Sequence, residues 1–306
     1  MNQPRLILAG GTGFLGHHLA RYFQQLGYEV VTLTRQVRRF GQTAWDGRTL
    51  GAWAAKLEGA AAVINLAGRS VDCRYNAANK YAITRSRTES TRVLGQAIAR
   101  CQNPPAVWLN SSSATIYAHT TGQQPANSEA TGQLGRDFSE MVAQQWEAEF
   151  WLAPTPHTRR LALRTAIVLG ADGGALPVMA RLARFGLCTP QGSGQQWISW
   201  LHLTDFCRAV EFLLAQPTLE GTFNLCAPEP LLNYEFNGLL AAHYLPRWRL
   251  PQPRWLLEIG AFLLRTETEL ILKSRKVVPQ RLLEAGFRFH FPSCPAALTD
   301  LLPQLA

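Results

Sequence analysis

The opening of the chain constrains the fold more than any other stretch. Arg5-Leu6-Ile7-Leu8-Ala9 is a short apolar run, Gly10-Gly11-Thr12-Gly13 is a glycine cluster, and an amphipathic pattern runs from Phe14 to Leu26. This order predicts a strand, a tight turn and a helix. The spacing fits both Gly11-x-Gly13-x-x-Gly16 and Gly10-x-x-Gly13-x-x-Gly16. Gly10 or Gly11 permits the sharp turn. Gly13 lets backbone N–H groups approach a pyrophosphate where a Cβ would intrude, and Gly16 lets the helix pack close to the strand. The helix N-terminus adds unpaired N–H donors and a partial positive charge. A dinucleotide site is therefore expected on Gly10, Gly11, Thr12, Gly13, Phe14, Leu15 and Gly16.

Downstream, strand and helix patterns alternate. Glu29–Thr34 reads as a second strand, whose end in such a fold meets the adenine ribose. An acid there would accept the 2′-hydroxyl of NAD and repel a 2′-phosphate. The residues present are Thr34 and Arg35, with Arg38 and Arg39 close behind, so NADP(H) is favoured over NAD(H). Thr43–Asp46 is a short strand. The apolar run Ala60–Gly68 suits a strand covered on both faces, and its end, Asn65-Leu66-Ala67-Gly68, should lie beside the cofactor. A helix follows from about Ala78 to Cys101. The strand Ala106–Asn110 runs into Ser111-Ser112-Ser113, which brings hydroxyls to the reaction centre. A helix over about Asp137–Trp151 and a strand over Arg160–Gly170 complete the alternation. The fold class is α/β, a Rossmann-type doubly wound parallel sheet. After Gly170 glycine-rich loops appear, and helices are suggested near Tyr234–His243 and Trp255–Leu264. We expect a Rossmann domain over residues 1–170 and about 201–227. A smaller, mostly helical substrate lobe should take about 171–200 and 228–306.

Several function classes are disfavoured. The charge of +9 comes with scattered arginines and no long basic run, so nucleic-acid binding is unsupported; an anionic cofactor or substrate accounts for some of the charge and a solvated basic surface for the rest. No apolar run approaches the roughly 20 residues of a membrane span, and the start lacks a basic n-region, so a soluble cytosolic protein is expected. The six cysteines are dispersed, without the spacing of a zinc site or a disulfide framework.

The glycine motif, Asn65-Leu66-Ala67-Gly68 and Ser111-Ser112-Ser113-Ala114-Thr115 together resemble the extended short-chain dehydrogenase/reductases of the sugar-nucleotide epimerase/dehydratase type. Further features narrow the resemblance. They are Lys80-x-x-Ile83-x-x-Ser86-Arg87, Trp146-Glu147, Arg164–Gly170, Gly192-Ser193-Gly194-x-Gln196, Trp200-Leu201-His202-Leu203-x-Asp205, Ser274–Pro279 and Gly286–Phe289. These are similar to the atypical epimerase-like family that includes the human short-chain dehydrogenase family 39U member. The resemblance implies an NADP-binding Rossmann domain, with Arg35 reading the 2′-phosphate. It also implies Arg87, Ser111 and Ser112 near the cofactor and Ser113 as the active-site serine.

One departure from that family type bears on chemistry. The usual catalytic pair is Tyr-x-x-x-Lys on one helix face, where the ammonium lowers the tyrosine pKa and holds the nicotinamide ribose. Counting back from Trp146-Glu147 sets Asp137 and Met141 at those positions. Tyr117 is the proton donor expected to act with Ser113; His119, Asp137 and Glu140 are further candidates. Two readings stand: an NADP(H)-dependent oxidoreductase or epimerase acting on a small molecule, and an NADPH-binding redox sensor or partner-binding protein with little catalysis.

Overall fold

The computed structural model describes residues 3–246, 248 and 273–305; the helix expected near Trp255–Leu264 lies outside them. The first half alternates strand and helix: β1 (Arg5–Ala9), α1 (Phe14–Gln25), β2 (Glu29–Thr34), β3 (Gln42–Ala44), β4 (Ala62–Asn65), α2 (Ala77–Ile98), β5 (Val107–Ser113), α3 (Phe138–Trp151) and β6 (Arg159–Thr165). Then come β7 (Ile167–Leu169), α4 (Leu176–Arg184), β8 (Trp197–Ile198), β9 (Trp200–His202), α5 (Leu203–Ala215) and β10 (Gly221–Leu225). The last described elements are β11 (Leu231–Leu232), α6 (Asn233–Tyr244), α7 (Gln280–Glu284) and α8 (Cys294–Leu301).

Among the described residues, seven strands form the main sheet in the order β10-β6-β5-β4-β1-β2-β3, and every neighbouring pair is parallel. Parallel strands need covering on both faces, and the side chains show it. Leu6 and Leu8 bury on one face with Leu19 and Phe23 of α1, whereas Ile7 and Ala9 bury on the other with Val93 and Leu94 of α2. Trp108 likewise faces away from its strand neighbours Val107 and Leu109. The chain winds outward from β1 to β3, then crosses back to β4 and winds the other way. This reversal lies between β1 and β4, where α/β sheets open a crevice beyond the carboxyl ends of their strands.

The expected strand Arg160–Gly170 is two strands. β6 stays in the main sheet, and after Ala166 the chain shears away so that β7 pairs with β9 in a separate two-stranded sheet. α4, α6 and α8 enclose a second core with Trp200, Phe236, Leu240 and Leu298. The boundary of the lobe differs from expectation at its C-terminal side. Leu282 of α7 and Phe287 bury in the main core beside Phe223 of β10, and the Arg281 guanidinium donates to the carbonyl oxygens of Thr222 and Glu220. The segment after 276 therefore returns to the Rossmann body before α8 closes the lobe. Among the described residues no helix is long and apolar enough to cross a membrane.

Candidate functional site

The site forms where β1 hands over to α1. Gly13 precedes the first helical residue in an extended conformation, with no side-chain cap on the helix. The first N–H groups of α1 consequently have no partner within the helix. A Cβ added at Gly13 meets nothing within 4 Å, so the space in front of these donors is open. Gly10 adopts φ +72, and a Cβ there would come 2.8 Å from the Ala67 Cα, because the turn passes close over the end of β4. Gly16 packs tighter still, since its added Cβ would lie 2.4 Å from the Gly11 Cα.

Two clefts meet over this turn, sharing Gly10, Gly13 and Leu66. The larger, about 1650 Å³, runs past Thr12 and over the ends of β2 and β4, lined by Thr34, Arg35, Ala67 and Gly68. Arg38 and Arg69 also face it. Arg35 is exposed, and the end of β2 carries no acid. Asp46 lies nearby, but its carboxylate accepts the backbone N–H and the hydroxyl of Thr49 and the backbone N–H of Arg48, which hold its pKa below the usual carboxylate value. The smaller cleft, about 410 Å³, is lined by Phe14, Leu15, Gly16, Arg87 and the serines Ser111, Ser112 and Ser113 that leave β5. Thr115, Thr165, Tyr75 and a stripe of α3 complete its wall.

The groups at the end of β5 are fixed by neighbours. The Ser113 hydroxyl donates to Thr115 Oγ1 at 2.9 Å and accepts the Thr115 N–H at 3.1 Å. Ser112 donates to Glu147 Oε1 at 2.5 Å, and Glu147 is held by Arg164 in a two-pronged pair, both side chains buried. Ser112 is thus committed to the framework, while Ser113 keeps a face toward the cleft.

Three expected site residues are corrected. Tyr117, expected as the proton donor, has no exposed surface and lines neither cleft. Its hydroxyl donates to Asn224 Oδ1 at 2.8 Å and accepts from Arg164 Nη1 at 2.9 Å. Burial pushes its pKa up, against the opposing pull of the Arg164 charge. Asn65 is also fully buried: its amide donates to Asn110 and Thr91, and its oxygen accepts the Ala67 N–H, so it shapes the loop after β4 from beneath. Gly11 is buried against Leu8 and Thr32 and supports the turn.

The register of the missing pair is corrected as well. Asp137 sits before α3 with its side chain 71% exposed and pairs with Lys273, and Met141 is 41% exposed. The cleft-facing stripe of α3 is Phe138, Ser139, Val142, Ala143 and Trp146. Ser139 and Ala143 are therefore an i, i+4 pair facing the cleft, and no tyrosine or lysine occurs on that face. Of the other candidate acids, Glu140 is buried, accepting the Asp137 N–H and pairing with Lys273 and Arg275. His119 Nδ1 accepts the Ser274 N–H. Tyr75, Phe138, Ser139 and Ala143 were missed in sequence. The apolar spacing Val142, Ala143, Trp146, Phe150 carried the signal for the α3 face; nothing in the sequence marked Tyr75.

Among the described residues no cluster of His, Cys, Asp or Glu is suited to a metal ion. The uncapped helix end, the open space before Gly13 and the cationic rim fit a phosphorylated dinucleotide.

The comparisons with known proteins agree with this geometry. Residues 6–226 match the NAD dependent epimerase/dehydratase family, and residues 252–301 match a domain of unknown function (DUF1731). The human epimerase family protein SDR39U1 is 31% identical over 97% of this chain and 99% of its own length. The epimerase family protein YfhF of Bacillus subtilis is 29% identical over 97% of both chains. The crystal structure of human SDR39U1 (isoform 2) with NADPH superposes with a TM-score of 0.87 at 29% identity, covering 98% of this chain and 99% of that one. A match over residues 6–226, together with a curated relative at 31% identity along nearly the full length, shows that this chain belongs to the NAD-dependent epimerase/dehydratase family.

Proposed function

We propose that this protein binds NADPH and uses it to reduce a small carbonyl compound. The observation that carries the reading is the open, uncapped N-terminus of α1 with Gly13 facing empty space, next to a β2 end that holds Arg35 and no acid. The N–H groups of α1 would take the pyrophosphate, and Arg35 would pair with the 2′-phosphate. The NADPH bound in the crystal structure of human SDR39U1 supports the choice of cofactor.

NADPH supplies a hydride to the carbonyl carbon, and the oxygen takes a proton. In this chain the groups placed to give that proton are neutral hydroxyls, with Ser113 backed by Thr115 in the smaller cleft. A neutral hydroxyl can share its proton with a developing alkoxide but is a poor base toward an alcohol at neutral pH. The direction favoured is reduction. Loss of NADPH absorbance against a panel of aldehydes and ketones tests this, with calorimetry on NADPH and NADH. Tighter NADPH binding and turnover of at least one carbonyl are expected; equal affinity for the two cofactors would remove the basis of the proposal.

The second reading is an NADPH-binding redox sensor with little catalysis. Ser139 and Ala143, standing where a Tyr-Lys pair would face the cleft, favour it. Tight NADPH binding with no turnover across the panel would select that reading.

A further inference from the structure

The run Ser274-Arg275-Lys276-Val277-Val278-Pro279 lines neither cleft, yet it is tied on two sides. Toward the small lobe, the Arg275 N–H donates to the Trp197 carbonyl oxygen of β8 at 3.0 Å, and Ser274 Oγ accepts the Trp197 N–H at 2.7 Å. Toward the Rossmann body, the run pairs with the loop that follows β5. The Ser274 N–H donates to His119 Nδ1 at 3.0 Å, and the Thr120 N–H to the Ser274 carbonyl oxygen at 2.9 Å. Further along, the Asn127 N–H donates to the Lys276 carbonyl oxygen at 2.7 Å. The segment is a strap between the lobe and the loop that continues from Ser113.

Arg275 extends the strap to the site. Its side chain is 14% exposed and divides its donors: Nε donates to the Thr115 carbonyl oxygen at 3.2 Å and Nη2 to Glu140 Oε1 at 3.4 Å. Glu140 also pairs with Lys273 and accepts the Asp137 N–H, so it keeps partners without Arg275. Thr115 is the middle residue of Ala114–Ile116, a single 3-10 turn. Such a turn has poor hydrogen-bond geometry of its own and takes its place from its neighbours. Thr115 in turn meets Ser113 twice, through its Oγ1 and its N–H. The Ser113 oxygen therefore follows Thr115, and both residues line the smaller cleft.

We propose that Arg275 is a positioning residue for Ser113: by holding the Thr115 carbonyl from the C-terminal strap, it sets the hydroxyl that faces the carbonyl substrate and ties that hydroxyl to the small lobe. The assignment rests on the reading of Ser113 as the proton-sharing group given above. A planar fork with donors in fixed directions suits a residue that must hold Thr115 and Glu140 at once.

The test compares Arg275→Met with Arg275→Gln. The two side chains have the same length and lack the charge, but glutamine carries an N–H donor where Arg275 has Nε. The first readout is hydrogen exchange at the Thr115 amide, whose N–H donates to Ser113 Oγ. In Arg275→Met that exchange should speed up about tenfold or more, the loss of one charge-assisted hydrogen bond, and in Arg275→Gln it should return to within about threefold of the parent. The second readout is NADPH oxidation with p-nitrobenzaldehyde. There kcat should fall about 10- to 100-fold in Arg275→Met and recover in Arg275→Gln, with KM within about threefold. NADPH affinity by calorimetry should stay within about twofold in both, because Arg275 lines neither cleft. If Arg275→Met does not fold, Arg275→Lys replaces it, with Thr115 exchange up about threefold or more, since one ammonium cannot take both directions of the fork. Unchanged Thr115 exchange in the folded variant overturns the proposal. So does a glutamine variant as impaired as the methionine one, or exchange that rises equally along β5 and α3. A parent that binds NADPH but leaves the aldehyde unreduced counts against the reductase reading, and Thr115 exchange then decides the role of Arg275 alone.

Discussion

Gly13 and Gly16 belong to one motif, but the structure separates their purposes, and a single methyl group at each tests the separation. At Gly13 the backbone has φ −80 and ψ 177, which any residue adopts, and an added Cβ meets nothing within 4 Å. Gly13→Ala restricts the unfolded chain, stabilising by about 0.4–1 kcal/mol. It also replaces glycine by a poorer N-cap, which costs a comparable few tenths to about 1 kcal/mol. The two nearly cancel, so the melting temperature should move by no more than about 2 °C. At Gly16 an added Cβ would lie 2.4 Å from the Gly11 Cα and 2.7 Å from its carbonyl carbon and oxygen. Those are backbone atoms, so α1 must shift; overpacking of this kind costs about 1–3 kcal/mol, or roughly 2–10 °C. Cofactor binding should rank differently. The Gly13 methyl enters the space where phosphate oxygens would meet the helix N–H groups, and loss of one such charge-assisted bond weakens NADPH about 10- to 150-fold. The assay is a thermal melt without ligand beside calorimetry with NADPH. A Gly13→Ala protein that binds NADPH like the parent, or melts as low as Gly16→Ala, would refute the reasoning.

Arg35→Ala should weaken NADPH by about 10- to 150-fold and leave NADH within about twofold, because only the 2′-phosphate loses a charged partner; calorimetry on both cofactors reads the contrast. Ser113→Ala should lower carbonyl turnover by about 10- to 1000-fold with little change in melting temperature. Tyr117→Phe should do the reverse: turnover holds, while the unpartnered Asn224 oxygen and Arg164 N–H cost about 1–3 kcal/mol in a denaturant titration. His202 is buried, its Nδ1 accepting the Thr204 N–H, and burial holds its pKa below the ordinary value of 6.5 although Asp300 pulls the other way. As pH falls below about 6.5 the unfolded chain takes up a proton that folded His202 resists, so stability is full above that pH and declines below it. Melting temperatures from pH 7.5 to 5 should fall less steeply in His202→Asn than in the parent.

The fold was legible because it rests on local signals. The glycine cluster between an apolar run and an amphipathic helix fixes β1 and α1, and buried runs such as Ala62–Asn65 announce parallel strands. Composition and order also located the serines at the end of β5. What was illegible depends on contacts distant in sequence. Tyr117 reads as a catalytic hydroxyl because it follows Ser113 by four residues, but its partner Asn224 lies 107 residues away on β10 and draws it into the core. Asn65 shows the same failure: a polar residue at a strand end reads as a ligand contact, yet Thr91 and Asn110 consume its amide. The α3 register failed differently. Counting from one tryptophan ignored the stripe Val142, Ala143, Trp146 and Phe150, whose spacing would have set Ser139 and Ala143 toward the cleft.

If NADPH fills the joined clefts, the lack of a tyrosine and a lysine on the cleft face of α3 changes more than the local charge. A lysine ammonium beside a tyrosine both anchors the ribose and lowers the tyrosine pKa, so that the pair can accept a proton from an alcohol. Among the described residues lining the smaller cleft, the cation is Arg87 of α2. Even drawn down to about 10 by burial, its guanidinium stays protonated at neutral pH, with its central carbon 5.2 Å from the centre of the Trp146 ring. The hydroxyls in the smaller cleft include Ser113, tied to Thr115, and Tyr75, which comes from the loop before α2, while Tyr117 is buried and held by Arg164 and Asn224. On the NADPH reading, the cleft face of α3 lacks the Tyr-Lys pair that serves as the base in alcohol oxidation. It follows that placing Ser139→Tyr with Ala143→Lys on the cleft face of α3 is the change that should add alcohol oxidation, whereas the same pair at Asp137 and Met141 would point to solvent.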